Sequence, residues 1–373
     1  MTNTRNMSLY NLNRDVIRGK TNGRVLWQPR INCWFGDRDF AGIPYEEPYA
    51  GLSQRDVYRK LECSARNYVF QNSILQFYLD DTIRESRRDL DKMRWEETID
   101  TPVGRITCIR RRNNSNYGVF PEKWFVENEQ DMKVLIYVLE RTSYKFDKKI
   151  YDELFADCAD LGLPIVNIKR AGIQALFIMY MGVEGAIYAL ADYPDTVEEF
   201  FKVCERSNRR YMDAAIEGKF EWVTFGDNVH GKVLPPDLFV KYLLPVYQER
   251  SDYLRRHGIF TSAHWDGDVK PLLPYIKETG LDAIEAITPL PQGDITLAEA
   301  KAAMGDKYLM DGIAAILFDE LFPVEMLMTQ VKECMELFPD RLIMGISDEI
   351  SSTGKLERIK RVSDYVNEYN AKI

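Results

Sequence analysis

The feature that most constrains the fold is a regular alternation of short apolar runs and longer amphipathic stretches after about residue 160. The apolar runs are residues 163–167, 222–225, 259–263, 283–287, 308–310 and 342–346. The amphipathic stretches include residues 196–217, 236–256, 269–279, 323–337 and 355–369. Repeated strand-then-helix units predict a parallel sheet, and this many units favour a closed (β/α)8 TIM barrel. An open doubly wound sheet has much the same sequence pattern and stays the alternative.

The first half of the chain is less regular. Residues 25–28 are interpreted as the first barrel strand, residues 54–71 as a helix and residues 74–79 as another strand. Between residues 97 and 110, a Pro and a Gly separate two β-rich arms, which is typical of a hairpin rather than of a strand-then-helix unit. We predict a single barrel domain over residues 1–373, with an N-terminal extension over residues 1–24 and a β-hairpin insertion at about residues 95–125.

The composition indicates a class of protein rather than an activity. The chain has 373 residues, 45% of them hydrophobic, and its formal net charge of -9 argues against general nucleic-acid binding. It has no run of about 18 apolar residues that would predict a membrane span, and its first residues lack the apolar core of a signal peptide. The six cysteines form no C-x-x-C pair, which is typical of a reducing compartment. We therefore expect a cytoplasmic protein.

In a TIM barrel the working residues lie at the carboxyl ends of the strands and in the loops that follow. The polar residues that follow or lie within the apolar runs are Arg30, Asn32, Asp80, Asp81, Asp227, Asn228, His230, His264, Asp266, Glu285, Asp311, Ser347, Asp348 and Glu349. Carboxylates dominate this set, and few cations balance them. Because clustered carboxylates repel one another unless they are protonated or bind a cation, the set favours a metal or a strongly cationic substrate.

One histidine stands out because the chain has only three. His264 ends an apolar run, and Asp266 follows it just before a predicted helix. The pair suits zinc, which accepts nitrogen and carboxylate oxygen and takes a third protein ligand from elsewhere in catalytic sites. On the residues alone an alternative is equally good, in which His264 bonds a backbone carbonyl and Asp266 caps the helix. Glu285 lies among apolar residues, so we expect a partner for its charge.

Four stretches of the chain form a recognisable pattern. They are "MGVEGAIYALADYPDTVEEFF" (residues 181–201), "LPPDLFVKYLLPVYQE" (234–249), "HWDGDVKPLLPYIKETGLDAIEAITPLPQGDITLAEAKAAMGDKYLMDGI" (264–313) and "GISDEISSTGKLERIKRV" (345–362). They resemble the uroporphyrinogen decarboxylase superfamily, and within it the corrinoid-dependent methyltransferases. The "TPVG" turn at residues 101–104 also recurs in that branch. The resemblance runs from about residue 24 to the C-terminus and implies an (α/β)8 barrel.

Two positions distinguish the branches of this superfamily. The decarboxylases carry an arginine-rich motif at the first strand that binds substrate carboxylates, whereas this chain reads "LWQPRIN" at residues 26–32, where only Arg30 could serve. The methyltransferases bind zinc through an H-x-C motif and a later cysteine. This chain keeps His264 but has Asp266 and Asp348 at the two cysteine positions. Oxygen ligands make zinc a harder Lewis acid, which suits an ether oxygen better than a thiol.

The resemblance implies a zinc-dependent methyltransferase. It would move a methyl group from an O-methyl substrate, in the leading hypothesis a methoxylated aromatic, to the cob(I)alamin of a separate corrinoid protein. The implied zinc ligands are His264, Asp266 and Asp348. Glu285 and Glu349 stay open as the third ligand, and Glu285 is alternatively an acid near the leaving oxygen.

The remaining site residues are predicted to contact the substrate. Asp227 is predicted to be catalytic and to line the pocket with Asn228, and Arg30 and Asn32 are predicted to bind substrate. The sequence has no cobalamin-binding D-x-H-x-x-G stretch, so we expect the cobalamin on a partner protein, while a homodimer stays open. The alternatives are a metal-free uroporphyrinogen-type decarboxylase, a methylcobamide:thiol methyltransferase and a non-catalytic barrel that binds a small molecule.

Overall fold

The computed structural model describes residues 8–67 and 74–373. The chain separates into two compact units. The first unit comprises Met1–Ser73, Lys148–Asn167 and Phe220–Ile373, and the second comprises Ile74–Asp147 and Ile168–Lys219. The single domain that the sequence suggests stays a prediction, because compactness does not measure folding cooperativity.

The elements are numbered along the chain. The strands are β1 (Leu26–Trp27), β2 (Leu75–Tyr78), β3 (Arg84–Asp89), β4 (Arg94–Thr101), β5 (Gly104–Arg112), β6 (Val119–Lys123), β7 (Ser143–Phe146), β8 (Val166–Ile168), β9 (Trp222–Val229), β10 (Phe260–Trp265), β11 (Ala283–Ile287), β12 (Tyr308–Ala314) and β13 (Leu342–Ser347). The α-helices are α1 (Ser8–Ile17), α2 (Asn32–Ala41), α3 (Gln54–Leu61), α4 (Glu129–Glu140), α5 (Lys148–Cys158), α6 (Gly172–Ala175), α7 (Val183–Asp192), α8 (Pro194–Glu217), α9 (Pro236–Leu238), α10 (Leu244–Arg255), α11 (Leu297–Met304), α12 (Val324–Leu337) and α13 (Leu356–Asn370). Short 3-10 helices cover Ala159–Leu161, Lys270–Thr279 and Ala315–Phe318, and π-helical turns cover Leu176–Tyr180 and Phe239–Leu243.

A seven-stranded sheet forms the core of the first unit, in the order β1-β13-β12-β11-β10-β9-β8. The pairings from β9 through β13 to β1 are all parallel. Strands β10 to β13 are buried along their whole length, as expected for a sheet that is covered on both faces. Because the strands are parallel, their carboxyl ends lie at the same end of the sheet.

Residues 63–67 connect the two edge strands of this sheet. Ser64 N donates to Trp27 O of β1 at 3.0 Å, and Ile165 N donates to Asn67 O at 3.3 Å just before β8. Asn67 also forms a parallel bridge with the chain immediately before Ile165. The segment therefore takes the place of the second barrel strand, and the predicted (β/α)8 TIM-barrel class is confirmed.

The predicted helix over residues 54–71 is too long. Helix α3 begins after Ser53, whose side chain accepts from Asp56 N, and it ends at Glu62, which adopts a left-handed φ of 56°. Residues 62–67 are not helical, and residues 68–71 lie outside the described residues. The segment 63–67 has no apolar run of its own, which is why the sequence pattern assigned it to the helix.

The N-terminal extension is part of the first unit's core. The side chains of Leu12 and Val16 on α1 are buried in one cluster with Trp222, Phe260 and Tyr308, which are the first residues of β9, β10 and β12. Helix α1 therefore covers the amino ends of the strands, and burial of these apolar side chains stabilises its position.

The second unit contains the predicted hairpin. Strands β4 and β5 pair antiparallel from Arg94 to Thr101, and the two-residue turn ends at Gly104, whose φ of 146° favours glycine. They belong to a four-stranded sheet in the order β3-β4-β5-β6. The prediction for residues 74–79 is right about a strand but wrong about its place, since β2 pairs antiparallel with β7. Asp80 and Asp81 therefore follow a strand of this unit and not a strand of the barrel sheet.

Candidate functional site

Three predicted ligands meet at the carboxyl ends of the barrel strands. His264 lies at the end of β10, Asp266 follows that strand, and Asp348 follows β13. One nitrogen of the histidine and one oxygen of each carboxylate all lie within 4.8 Å of one another. We call His264, Asp266 and Asp348 the open triad, because the Asp348 side chain is 36% exposed and Asp266 is only half-buried.

The two ring nitrogens of His264 face different neighbours. Nε2 lies 3.5 Å from Asp348 Oδ1, while Nδ1 lies 3.8 Å from Glu285 Oε1. Burial lowers the pKa of His264, but the carboxylates of Glu285 and Asp348 outweigh burial and raise this pKa above its ordinary value. The imidazole therefore presents one nitrogen to the triad and keeps the other beside a buried carboxylate, the arrangement that orients metal-binding histidines.

Arg30 is the cation next to the open triad. Its guanidinium forms an ion pair with Asp348, donates to Glu349 Oε1 at 3.1 Å, and has Nη1 3.4 Å from His264 Nδ1. Glu349 is held in turn by Cys33 N, which donates to its Oε2 at 2.6 Å. Arg30 therefore already neutralises much of the negative charge at this site.

A second charged cluster lies deeper in the barrel. Arg66 Nη1 donates to Glu285 Oε1 at 2.8 Å, and its Nη1 and Nη2 donate to the two oxygens of Asp311 at 3.0 and 2.5 Å. These three side chains are at most 1% exposed, and we call them the buried ion cluster. Gln28 Oε1 accepts from Arg66 Nε at 3.1 Å, and Thr224 Oγ1 donates to Glu285 Oε2 at 2.9 Å.

The buried ion cluster provides the partner that Glu285 was expected to need. Burial alone would raise the pKa of Glu285, but Arg66, His264 and Arg30 hold this pKa well below its ordinary range. The expectation that few cations balance these carboxylates is wrong, because two arginines do so. Sequence reasoning missed Arg66, although two buried carboxylates in neighbouring strands were a signal that a buried cation must exist.

The backbone around the buried ion cluster is unusual. Ala286, near the carboxyl end of β11, and Asp311, in the middle of β12, adopt left-handed φ values of 65° and 79°. Ala286 N donates to Asp311 Oδ2 at 3.1 Å, which ties the two strained positions together. A Cβ on Gly345 would lie 2.3 Å from Asp311 Oδ1, so only glycine leaves room for this carboxylate. Backbone strain of this kind concentrates at functional sites.

Asp227 faces the helix layer. Its neighbour Thr224 on β9 bonds Glu285 inside the barrel, whereas Phe225 packs against Tyr247 of α10 with ring centroids 5.7 Å apart. Asp227 also lies beside Tyr247, in a part of β9 where the pairing with β10 is irregular. Burial and the neighbouring Asp227 carboxylate raise the pKa of Tyr247 well above its ordinary value. A catalytic role for Asp227 stays a prediction.

The other predicted substrate-binding residues lie in different surroundings. Asn228 is exposed near the end of β9 with a left-handed φ of 50°, and Asn32 is the exposed first residue of α2. Arg30 is buried and paired as described above. The structure therefore places the predicted substrate-binding side chains in both buried and exposed positions, and their roles stay predictions.

The alternative role of Asp266 as a helix cap is wrong. The helix Lys270–Thr279 begins at Val269, and Val269 N donates to Asp294 Oδ1 at 3.0 Å, as does Lys270 N at 3.2 Å. Asp294 therefore caps this helix, and the Asp266 side chain is left for the open triad. Its own backbone N donates to Val229 O at 2.8 Å, which fixes the position of the residue beside β9.

The sequence profile of the uroporphyrinogen decarboxylase family (URO-D) matches residues 165–369, more than half of the chain. The matched range contains the open triad and two members of the buried ion cluster. This chain belongs to the uroporphyrinogen decarboxylase family. No curated protein sequence matches the chain.

Two solved structures are similar to this chain at low sequence identity. A methyltransferase from Methanosarcina mazei is similar with a TM-score of 0.50 and 13% identity, over 70% of this chain and 75% of that chain. A B12-independent methionine synthase from a Shewanella species has a TM-score of 0.44 and 9% identity, over 94% of this chain and 98% of that chain. The first likeness shows a common fold.

No helix within residues 8–67 and 74–373 is both long and apolar enough to cross a bilayer.

Proposed function

We propose that this protein is a zinc-dependent methyltransferase that removes a methyl group from an ether oxygen and passes it to the cobalt of a separate corrinoid protein. The observation that carries the proposal is the convergence of His264, Asp266 and Asp348 within 4.8 Å at the carboxyl end of a URO-D barrel. Similarity in fold to a methyltransferase supports the reaction class.

The donor set of the open triad fits zinc. One imidazole nitrogen and two carboxylate oxygens are ligands that zinc accepts, and three protein ligands leave a position for substrate. Nε2 of His264 is the proposed ligand atom because it faces Asp348 Oδ1 at 3.5 Å, whereas Nδ1 lies beside Arg30 and Glu285. Both aspartates retain solvent access, which a metal that exchanges water for substrate requires.

When bound, zinc would act as a Lewis acid that stabilises negative charge on the leaving oxygen of the ether. The protein's own residues would orient the reaction. Glu285, held by Arg66 and Thr224, fixes the His264 ring. Arg30 pairs with both Asp348 and Glu349, so it would keep Glu349 as a partner if Asp348 held a metal. A methoxylated aromatic is the proposed donor, because oxygen ligands favour a neutral oxygen substrate over a thiol.

The corrinoid is proposed to arrive on a partner protein. The chain has no D-x-H-x-x-G stretch of its own, and the open triad lies at the strand ends where TIM-barrel sites accept their substrates. A partner that docks over this end would hold its corrinoid beside the open triad.

A second candidate is a metal-free decarboxylase of a porphyrin-like acid. The observation that favours it is Arg30, a buried cation that already bridges Asp348 and Glu349 and approaches His264 to 3.4 Å. In this alternative Arg30 binds a substrate carboxylate, and the two acidic side chains hold the arginine in place. Metal content distinguishes the two candidates.

The experiment compares metal binding and demethylation in matched variants. Purified protein is expected to bind about one zinc per chain, the occupancy expected for a mononuclear catalytic site. Asp266→Ala and His264→Ala should each strip or greatly weaken zinc and remove most activity toward methoxyarenes with a cob(I)alamin acceptor. Asp268→Asn is the control, because Asp268 lies in the same loop but pairs with Lys232 instead.

The zinc content and the activity of these proteins distinguish the methyltransferase from the decarboxylase. Loss of zinc in both triad variants, with the control unchanged and all three proteins folded by circular dichroism, supports the methyltransferase. No zinc in the parent protein after reconstitution, together with decarboxylation of a porphyrin-type acid that depends on Arg30, overturns it. X-ray absorption with sulfur in the first coordination shell would contradict the assignment of these three ligands.

A further inference from the structure

The first unit has a large pocket at the opposite end of the barrel from the open triad. This pocket has a volume of 730 Å³ and is lined by Phe260 and Tyr308, the first residues of β10 and β12. Asp282 and Arg341, which directly precede β11 and β13, also line it. We call it the amino-end pocket. Its volume lies within the range of about 300–1,000 Å³ that is usual for small-molecule sites.

The charge of the amino-end pocket is opposite to that of the whole chain. Its lining includes five cationic residues and only two carboxylates, although the chain carries a net charge of -9. The cations are Arg18, Arg255, Lys277, Lys307 and Arg341. They come from separate segments that converge on one space, so the local positive charge is a property of the fold and not of one basic stretch.

Three of these cations form no salt bridge at 4.0 Å or less within the described part of the chain. They are Lys277, Lys307 and Arg341. Lys307 is 7% exposed, and its ammonium donates to Leu281 O at 2.7 Å. Burial lowers the pKa of Lys307. Since an ammonium has three N–H donors and buried charges are normally paired, Lys307 is suited to an anionic ligand.

The two carboxylates of the lining are Asp282 and Asp306, and both act against burial on the pKa of Lys307 without forming a salt bridge to it. Asp282 Oδ2 accepts from Thr261 N at 2.8 Å and from Thr261 Oγ1 at 2.9 Å, so this carboxylate is occupied in joining β10 to β11. Arg18 and Arg255 pair with Glu221 and Asp252 on the exposed surface. Exposed pairs of this kind are weak and exchange partners readily.

We infer that the amino-end pocket binds a small anion that carries two or more phosphate groups. Lysine and arginine both bind phosphate oxygens, and arginine does so with two parallel hydrogen bonds. A single phosphate could reach only part of the lining, whereas a chain of phosphates can contact Lys307 at the base together with exposed Lys277 and Arg341. This site is independent of the proposed methyl transfer, because it lies at the other end of the strands.

Isothermal titration calorimetry tests this inference on the full-length chain at low ionic strength. The probes are inorganic pyrophosphate and tripolyphosphate, with inorganic phosphate and citrate as comparison anions. We expect saturable binding of the two polyphosphates, with weaker binding of phosphate and citrate, and an affinity that falls as potassium chloride is added.

Variants locate the binding site. The double variant Lys277→Ala/Arg341→Ala changes exposed residues only, and it should weaken pyrophosphate binding by about tenfold or more, because hydrogen bonds to charged groups contribute that much. Lys332→Ala is the control, since Lys332 is an exposed lysine on α12 outside the pocket, and it should change the affinity by less than about twofold.

Three outcomes would overturn the inference. The first is no saturable binding of either polyphosphate. The second is equal weakening by the double variant and by Lys332→Ala, which would mean diffuse attraction to surface charge. The third is citrate binding as tight as pyrophosphate binding, which would reject the phosphate class. None of these readouts depends on zinc or methyl transfer, so failure here is distinct from failure of the proposed function.

Discussion

The open triad and the buried ion cluster lie at the same end of one barrel, yet they differ in solvent exposure and in how their charges are paired. In the buried ion cluster, Arg66 bonds both carboxylates directly and all three side chains are at most 1% exposed. In the open triad, Asp348 is 36% exposed and its cationic partner Arg30 is shared with Glu349. Glu285 contacts both groups, with Arg66 at 2.8 Å and His264 Nδ1 at 3.8 Å.

This difference indicates that the buried ion cluster is a rigid support and that the open triad is a site that can change its partners. A buried, fully paired ion cluster cannot exchange its partners without leaving charge in a low-dielectric interior. The open triad can exchange Arg30 for a metal or a substrate, because water solvates the carboxylates during the change. We therefore expect substitutions in the buried ion cluster to act mainly on stability and substitutions in the open triad to act mainly on binding and rate.

The largest expected effect is the loss of Arg66. Arg66→Met should reduce the free energy of unfolding by about 3–5 kcal/mol, because two buried carboxylates lose their cation. Urea unfolding followed by fluorescence measures this change. Arg24→Met is the matched control, since Arg24 pairs with Asp15 on the surface at 34% exposure, and it should cost less than about 1 kcal/mol.

Neutralising the carboxylates tests the cause of that loss. If uncompensated charge destabilises Arg66→Met, adding Glu285→Gln and Asp311→Asn should recover most of the lost stability. Equal costs for Arg66→Met and the Arg24 control, or no recovery in the triple variant, would mean that packing rather than charge explains the effect.

The next effect concerns rate rather than stability. Asp266→Cys creates the H-x-C motif that the similar methyltransferases use to bind zinc, so we expect this variant to retain zinc. Because a thiolate makes zinc a softer Lewis acid, ether cleavage should fall by about 100-fold while the unfolding transition hardly moves. Metal analysis and single-turnover demethylation measure both properties. A variant that cleaves ethers as fast as the parent would contradict the idea that Asp266 makes the zinc ion a harder Lewis acid.

A smaller effect tests how tightly the buried ion cluster is packed. Gly345→Ala would place a Cβ 2.3 Å from Asp311 Oδ1 and 2.8 Å from the backbone oxygen of Gln28, so we expect a loss of about 1–3 kcal/mol in unfolding free energy. In Gly185→Ala the new Cβ meets the flexible Met181 side chain within a helix, so this control should be neutral or stabilising. A neutral Gly345→Ala would show that Asp311 can move.

The smallest effect involves an exposed ion pair. Hydrogen bonds from Lys270 and Thr296 lower the pKa of Glu299 from 4.5 to about 2. Because the folded-state pKa is lowered, this stabilisation is present above about pH 4.5 and is lost as the pH falls towards 2. Glu299→Gln should therefore bring the melting temperatures of variant and parent closer together with acidification over that range. A difference that is constant with pH would contradict this assignment.

The open triad could be predicted from the sequence because each member follows a strongly apolar strand. Strands β10 and β13 appear as continuous apolar runs, and the polar residues that follow parallel strands meet at one end of a barrel. The helix after Asp266 could also be predicted, but its cap could not, because Asp294 reaches it from a later loop. Likewise, only the tertiary structure shows that Asp227 lies beside Tyr247 of α10.

By itself, the sequence determined the repeated strand-then-helix order, the buried strands from β9 to β13 and the residues that end them, since apolar periodicity is a local property. Only the tertiary structure decided that residues 63–67 take the place of the second barrel strand and that Arg66 neutralises Glu285 and Asp311. That strand has little apolar character, and its hydrogen bonds and ion pairs come from residues as far as 245 positions away in the chain. Burying a charge costs little free energy only when the fold places an oppositely charged partner beside it. The local sequence pattern does not show which residue that partner is.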